Sequence, residues 1–491
     1  MQSAGPAART GAADTGMGFA VWDAMDLQGL YDQATAAHRR GDLAAAEDGY
    51  LRLLAVEPGN PQLRHPLGVL RAQQGRVSEA LALLEGVLAQ TPGDAGLLRD
   101  YAMVLAGAGR THEALASFDR ALTLRPDDLE LTLLRIEALL RLKRHDEVLE
   151  VTGRMLPLHP YNAILPHQRG VALAALGRHA EAEPCFARVL QLKPDSDAAL
   201  YERGTALAAQ DRIADWFTSF HAFAQQNAGG KSDGKTLAHK TRHDAEQQAW
   251  QREQGIVPAP GLHIEGGARL EGPAVNPLNA KEAARQWREN RPQVVVIDNL
   301  LTDAALNALR RFCLGSTVWR TGFESGYLGA FPESGFSVPL LAQIAEELRI
   351  VFSEFCGGHP LKYAWAFKYD SSMEGVHIHA DDAVVNINFW ITQDEANLDP
   401  GSGGLLVWDV PAPRNWDFAN FGNEQAAIRD FLARNNAACI TVPYRANRAV
   451  IFNSELLHQT DKVRFKSGYA NRRINLTFLY GERPRIASSS G

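Results

Sequence analysis

The pattern of apolar positions changes character once along the chain. Through roughly the first 200 residues it reads helix, short turn, helix, and the same segment returns every 34 residues, with prolines at Pro58, Pro92, Pro126, Pro160 and Pro194. Self-similarity of that length predicts stacked helical hairpins. Small residues keep the same phase: Ala34, Gly68, Ala102, Gly170 and Gly204 fall in the first helix of each pair, with Ile136 out of line, and Ala46, Ala80, Ala114 and Ala182 share a register in the second. Such residues are needed where two helices cross closely. Gly41, Gly75, Gly109 and Gly177 sit five positions earlier, at the turn, where glycine suits a helix C-terminus. The unit carrying Lys143 and Val148 at these two places is the exception.

From Gln293 onward a period of two takes over. VVVID (Val294–Asp298) reads as a buried strand, Thr302–Cys313 and Pro339–Phe355 as helices, and Lys362–Asp370, Val376–Asp381, Val384–Thr392, Gly404–Val410, Cys439–Pro443, Ala449–Asn453 and Arg473–Gly481 as strands, interrupted by a helix at Glu424–Asn435. Short strands following two helices predict a β-sandwich or jelly roll with helices packed on one face. Between the halves, Asn227–Lys235 is a Gly-rich polar break, and Thr236–Gly255 reads as one polar helix whose His239 and His243 are expected to face solvent. The first half resembles the tetratricopeptide repeat over five units, from about residue 26 to 195. Ala198–Gln226 reads as a departing cap, with Trp216 where the close-packing alanine is expected. That resemblance implies a groove for a peptide or protein segment; a spacer or dimerisation surface is the plainer alternative. The expected organisation is an α + β multidomain chain: a disordered leader 1–25, an α-solenoid 26–226, a linker 227–289 with a possible helix, a jelly-roll domain 290–485 and a disordered tail 486–491.

Composition narrows the function classes. A net charge of −7 and a pI near 6.1 argue against a nucleic-acid partner. Cys185, Cys313, Cys356 and Cys439 are scattered without C-x-x-C spacing, so neither a zinc ribbon nor a disulfide framework is expected, and a reducing compartment is. The first 18 residues lack the apolar core of a signal peptide, and no window is apolar enough to cross a bilayer. The expectation is a soluble cytoplasmic protein without a membrane partner, of open oligomeric state.

Candidate chemistry concentrates in GVHIHADD, Gly375–Asp382. In extended chain His377, His379 and Asp381 project to one side. The His-x-Asp spacing, with a third ligand far downstream, is the pattern of the two-His-one-carboxylate set that holds non-haem Fe(II). His458 is the candidate third ligand, 77 residues beyond Asp381. In RINLTFLYG, alternation sends Arg473, Asn475 and Thr477 to one face and Ile474, Leu476 and Phe478 to the other. An inward guanidinium grips a carboxylate through two parallel hydrogen bonds. Arg472 is the alternative, disfavoured by strand phase. Asn386, Asn388 and Trp390 share one face of their strand, and buried amides there need partners, a cosubstrate being one candidate. Tyr369 ends the strand before the metal loop.

The ordered set HAD at 379–381, His458 and Arg473 resembles the 2-oxoglutarate/Fe(II)-dependent oxygenases with a double-stranded β-helix, over about residues 290–485. The resemblance implies a dioxygenase, an oxidoreductase with His379, Asp381 and His458 as catalytic iron ligands. It further implies 2-oxoglutarate and O2 as cosubstrates and hydroxylation as the outcome. Arg473 and Asn475 would bind 2-oxoglutarate, Asn475 standing where the family has serine. The joined architecture implies a peptide, protein or carrier-bound substrate recruited through the repeats. Alternatives are a binding scaffold with an inactive oxygenase-like domain, a hydroxylase of a free small molecule, and a zinc hydrolase at the same triad.

Overall fold

The computed structural model describes residues 24–229, 237–413, 416 and 425–483. The leader expected at 1–25 lies outside these as far as residue 23, the tail at 486–491 lies wholly outside them, and so does most of the polar break, residues 230–236. Among the described residues twelve helices, α1 to α12, form six consecutive pairs. They are Ala24–Arg39 with Leu43–Val56, Pro61–Gln73 with Val77–Gln90, Ala95–Gly107 with Thr111–Leu124, Leu129–Arg141 with His145–Met155, Ile164–Ala175 with His179–Leu192, and Asp197–Ala209 with Ile213–Gln226.

Each turn proline is followed two residues later by a side chain that caps the next helix. Asn60, Asp94, Asp128, Asn162 and Ser196 accept hydrogen bonds from backbone N–H groups at those helix starts. Within the pairs, a Cβ added at Gly68 would lie 2.8 Å from Leu84, and one at Gly170 or Gly204 would lie 2.7 Å from Phe186 or Phe220. The inter-helix turns require a left-handed residue, supplied by Gly41, Gly75, Gly109 and Gly177. Lys143 (φ 57°) and Asp211 (φ 59°) take the same conformation without glycine. The exceptional unit thus keeps its backbone and bears the strain of a Cβ. Lys143→Gly is expected to raise stability by about 0.5–1 kcal/mol, read as a higher urea midpoint.

The chain divides into two compact units between Val151 and Thr152. The second unit holds the last two helix pairs and every described strand: β1 (Val294–Ile297), β2 (Thr321–Phe323), β3 (Tyr327–Ala330), β4 (Leu361–Tyr369), β5 (Ser372–Met373), β6 (Val385–Trp390), β7 (Leu405–Pro411), β8 (Cys439–Val442), β9 (Ala449–Asn453), β10 (Leu456–Thr460), β11 (Val463–Arg464) and β12 (Ile474–Tyr480). Antiparallel pairing gives a seven-stranded sheet β1-β9-β6-β12-β4-β3-β2, a three-stranded sheet β10-β7-β8 and the short pair β11-β5. Helices α13 (Ala238–Glu253), α14 (Ala280–Glu289), α15 (Asp303–Gly315), α16 (Pro339–Val351), α17 (Ser353–Cys356) and α18 (Gln425–Arg434) complete the unit.

Strand alternation sorts the large sheet into two environments. Ile387, Phe389, Ile474, Leu476 and Phe478 join helix residues such as Phe312, Leu341 and Leu348 in the main core. The opposite face sends Trp390, Val450, Phe452 and Tyr369 into a second core with Leu405, Val407, Val442 and Leu456 of the small sheet. The expected split of Arg473, Asn475 and Thr477 from Ile474, Leu476 and Phe478 follows this division.

Two expectations are corrected. Val376–Asp381 is not a strand: His379 alone pairs, in an isolated bridge to His458. The cause is Gly375, at φ 97°, where a Cβ would lie 2.2 Å from the carbonyl oxygen of Thr460. His243 does not face solvent but is fully buried. The polar helix α13 packs inward because Gln251 donates to Gly315 O (2.6 Å) and Gln247 to Ser316 O (2.8 Å), satisfying carbonyls at the end of α15. Burial takes His243 down to about 3. Between that value and the ordinary 6.5 the unfolded chain binds a proton the folded chain refuses, so stability falls as pH is lowered through this window, by up to about 1.4 kcal/mol per unit. His243→Phe is expected to flatten the decline in urea midpoint between pH 6 and 4.

Candidate metal centre

Three side chains singled out in the sequence come together here. The donor atoms of His379, Asp381 and His458 lie within 4.8 Å of one another, the one such His/Cys/Asp/Glu group found among the described residues. A reciprocal backbone bridge, His379 N–H to His458 O at 2.9 Å and His458 N–H to His379 O at 2.8 Å, sets the rings side by side with centroids 4.4 Å apart. Nδ1 of His379 lies 2.8 Å from His377 O, and Nδ1 of His458 lies 3.0 Å from Leu456 O. A carbonyl accepts and never donates, so both Nδ1 atoms carry a proton, and in the neutral imidazole it is Nε2 that is left with the lone pair. These Nε2 atoms stand 4.0 Å and 3.4 Å from the Asp381 carboxylate, for His379 and His458 respectively.

Asn386, at the start of β6, donates to Asp381 Oδ2 at 2.6 Å and fixes its orientation. Burial opposes ionisation of Asp381, but the two imidazoles and Asn386 outweigh it and hold its pKa below the usual carboxylate value. Burial, then the neighbouring His458, lowers His379. Both shifts favour the deprotonated forms that bind a cation. His377 is exposed, and Asp382 pairs with Lys362 at 2.9 Å, so neither joins the group.

Arg473 is fully buried on the inner face of the large sheet. Its Nε donates to Gly403 O (2.6 Å), Nη2 to Gly404 O (3.3 Å) and Nη1 to Asn475 Oδ1 (3.2 Å), and the guanidinium lies 4.5 Å over Tyr369 and 5.6 Å from Trp390. No carboxylate pairs with it among the described residues, and burial lowers its pKa. Arg472 instead has two carboxylate partners, Glu246 and Asp370, at 3.0 and 3.1 Å.

A row of polar side chains on β6 and β12 runs from Asn386, beside Asp381, to Arg473. Asn475 donates to Asn388 (3.3 Å), and Asn388 to Thr477 (3.1 Å). On the opposite side Tyr369 Oη lies 3.2 Å from Thr460 Oγ1, two residues from His458 on β10. Asn386 Oδ1 and Trp390 Nε1 are buried without a hydrogen-bond partner among the described residues. Sequence reasoning passed over Thr460 and the inward row Tyr363, Trp365 and Phe367. The signal for the latter was present: aromatic residues alternate with Ala and Lys along KYAWAFKYD, Lys362–Asp370.

A family model described as tetratricopeptide repeat matches residues 31–95, 100–162 and 167–215. The first half therefore carries tetratricopeptide repeats, followed by a β-rich region. No curated protein matches the chain. Among solved structures, MamA (41-end) from Desulfovibrio magneticus RS-1 is 20% identical, with a TM-score of 0.32, over 36% of this chain and 97% of its own. A tetratricopeptide repeat protein from Parabacteroides merdae is 16% identical, with a TM-score of 0.37, over 47% and 93%. YrrB, titled a TPR protein with an unusual peptide-binding site, is 18% identical, with a TM-score of 0.33, over 37% and 93%. No described helix is long and apolar enough to cross a membrane.

Proposed function

We propose that the β-rich region is a double-stranded β-helix, or jelly-roll, oxygenase domain. In this reading it uses Fe(II), 2-oxoglutarate and O2 to hydroxylate an unactivated C–H bond of a peptide, protein or carrier-bound substrate that the repeats help recruit. The observation that carries the proposal is a His–Asp–His cluster in the same β-rich region as a buried arginine that has no carboxylate partner among the described residues.

The residues fit both groups. Two imidazole Nε2 atoms and one carboxylate oxygen are the donor set for non-haem iron, and the Nδ1–H to carbonyl contacts are the usual way a protein orients such imidazoles. A buried guanidinium without a carboxylate partner among the described residues suits an anion, and Asn386 Oδ1 and Trp390 Nε1, buried and without a hydrogen-bond partner among those residues, are polar atoms that a polar guest would satisfy. When bound, iron and 2-oxoglutarate supply O2 activation, with release of CO2 and formation of succinate.

The chain's own residues hold and orient. His379, Asp381 and His458 grip the metal, Asn386 keeps the Asp381 carboxylate aimed, and Arg473 with Asn475 fixes the far carboxylate so that the oxo acid is presented one way. The aromatic and aliphatic core around Trp390, Val450 and Phe452 keeps bulk water from the far end. A second reading draws on Arg473's three bonds to Gly403, Gly404 and Asn475: the arginine is a structural clamp and the protein a repeat scaffold with a silent site.

Succinate formation decides between them. Anaerobically purified full chain receives Fe(II) and 2-oxoglutarate, then O2, alone and with cell-extract fractions. Succinate above a His379→Ala control is expected; equality with that control in every fraction counts against the oxygenase.

A further inference from the structure

The inner face of β4 continues past the polar row into an aromatic slot. Tyr363, Trp365 and Phe367 alternate with Ala364 and Ala366, which face the main core. The sheet register sets the slot's position: Thr477 of β12 is flanked by Asn388 and Trp365, and Leu479 by Asn386 and Tyr363. Two strand spacings, about 10 Å, therefore separate the rings from the amides beside the metal ligands.

Phe331, after β3, closes the group. Ring centroids are 6.0 Å apart for Tyr363 and Trp365, 6.2 Å for Trp365 and Phe367, 6.5 Å for Phe331 and Tyr363, and 6.3 Å for Phe331 and Phe367. All four rings are half-buried. Both oxygens of Glu333 lie against the Tyr363 hydroxyl, at 2.7 and 2.9 Å, and Glu333 has no ion-pair partner among the described residues. Trp365 Nε1 has no hydrogen-bond partner either.

We infer that this slot takes a cationic side chain, the lysine or arginine of a peptide, and so sets the substrate class of the oxygenase proposed above, on which reading the substrate role rests. Aromatic rings beside a carboxylate attract a cation, whereas an apolar or aromatic guest gains nothing from Glu333. Among the described residues, the lysine and arginine found over rings, Lys368 over Tyr469 and Trp319 and Arg473 over Tyr369 and Trp390, do not occupy these four. The peptide context comes from the last helix pair: α11, which carries Tyr201 (42% exposed), packs against β4, and Asp211 after it accepts from the N–H of Leu361. The slot therefore borders a surface of the repeat array.

The test is calorimetric binding to the iron-free full chain. The probes are the pentapeptide Ac-Gly-Gly-Arg-Gly-Gly-NH2 and its lysine, citrulline, glutamate and phenylalanine counterparts. Arginine and lysine peptides are expected to bind about tenfold more tightly than citrulline, and Glu333→Gln or Trp365→Leu should erase that margin. Equal binding of arginine and citrulline, preference for phenylalanine, a margin that survives Glu333→Gln, or no binding of any peptide overturns the inference. Because iron and 2-oxoglutarate are absent, failure here is distinct from failure of succinate formation.

Discussion

His458→Ala is expected to release iron and end turnover. The variant leaves two donors, His379 Nε2 and the Asp381 carboxylate, which also lose the imidazole that packs 4.4 Å from His379. Outer-shell partners of metal ligands are worth 10- to 100-fold in affinity or activity, so loss of a ligand should weaken Fe(II) binding by more than about 100-fold. Metal analysis after desalting reads the first effect and succinate release the second. Two companions sharpen the result. Asn386→Leu keeps every ligand but removes the 2.6 Å hydrogen bond that aims Asp381, and an intermediate loss, about 10- to 100-fold, is expected. His377→Ala removes an exposed side chain two residues from His379 and should retain iron. Equal iron retention in His458→Ala and His377→Ala would mean that the cluster is not a metal site.

What the sequence disclosed depended on whether a residue's role is written in local period. The helix pairs were legible because the turn prolines, the small close-packing residues and the turn glycines all recur in phase. The inward turn of Arg473 and Asn475 was legible because a strand has a side-chain period of two. The path of Gly375–Asp381 was not. Alternation alone would place His377, His379 and Asp381 together, but the bend at Gly375 against Thr460 and the single bridge to His458 expose His377 and draw the other two inward. That outcome is set by β10, more than 70 residues away in sequence, and no local pattern encodes it. His243 teaches the same lesson in reverse. A polar helix reads as solvated, yet one face of α13, with His243, Gln247 and Gln251, is buried because the carbonyls ending α15 need its amides. Arg472 and Arg473 differ in sequence by phase alone; the ion pairs of Arg472 with Glu246 and Asp370 separate them in space.

Those pairings make Arg473→Met the most informative change at the far end of the site. Arg472 is neutralised by two carboxylates, whereas Arg473 has no carboxylate partner among the described residues. If it holds the distal carboxylate of 2-oxoglutarate, its loss should raise the apparent Kd by about 100-fold, the worth of charge-assisted bonds at a buried site. Iron binding should persist, because the three metal donors do not involve it. Arg473→Lys keeps the charge but not the fork, and an intermediate loss is expected. Thermal unfolding supplies the discriminating readout. With iron bound and O2 excluded, 2-oxoglutarate at about 100 times its Kd should stabilise the wild type by about 2.7 kcal/mol, and much less in Arg473→Met. An oxo acid lacking the far carboxylate, 2-oxobutyrate, should act equally on both proteins. A clamp on Gly403 and Gly404 makes the opposite demand: Arg473→Met would lower the midpoint of the ligand-free protein yet leave the 2-oxoglutarate shift intact. In that case the far carboxylate, if held at all, is held elsewhere in the interior.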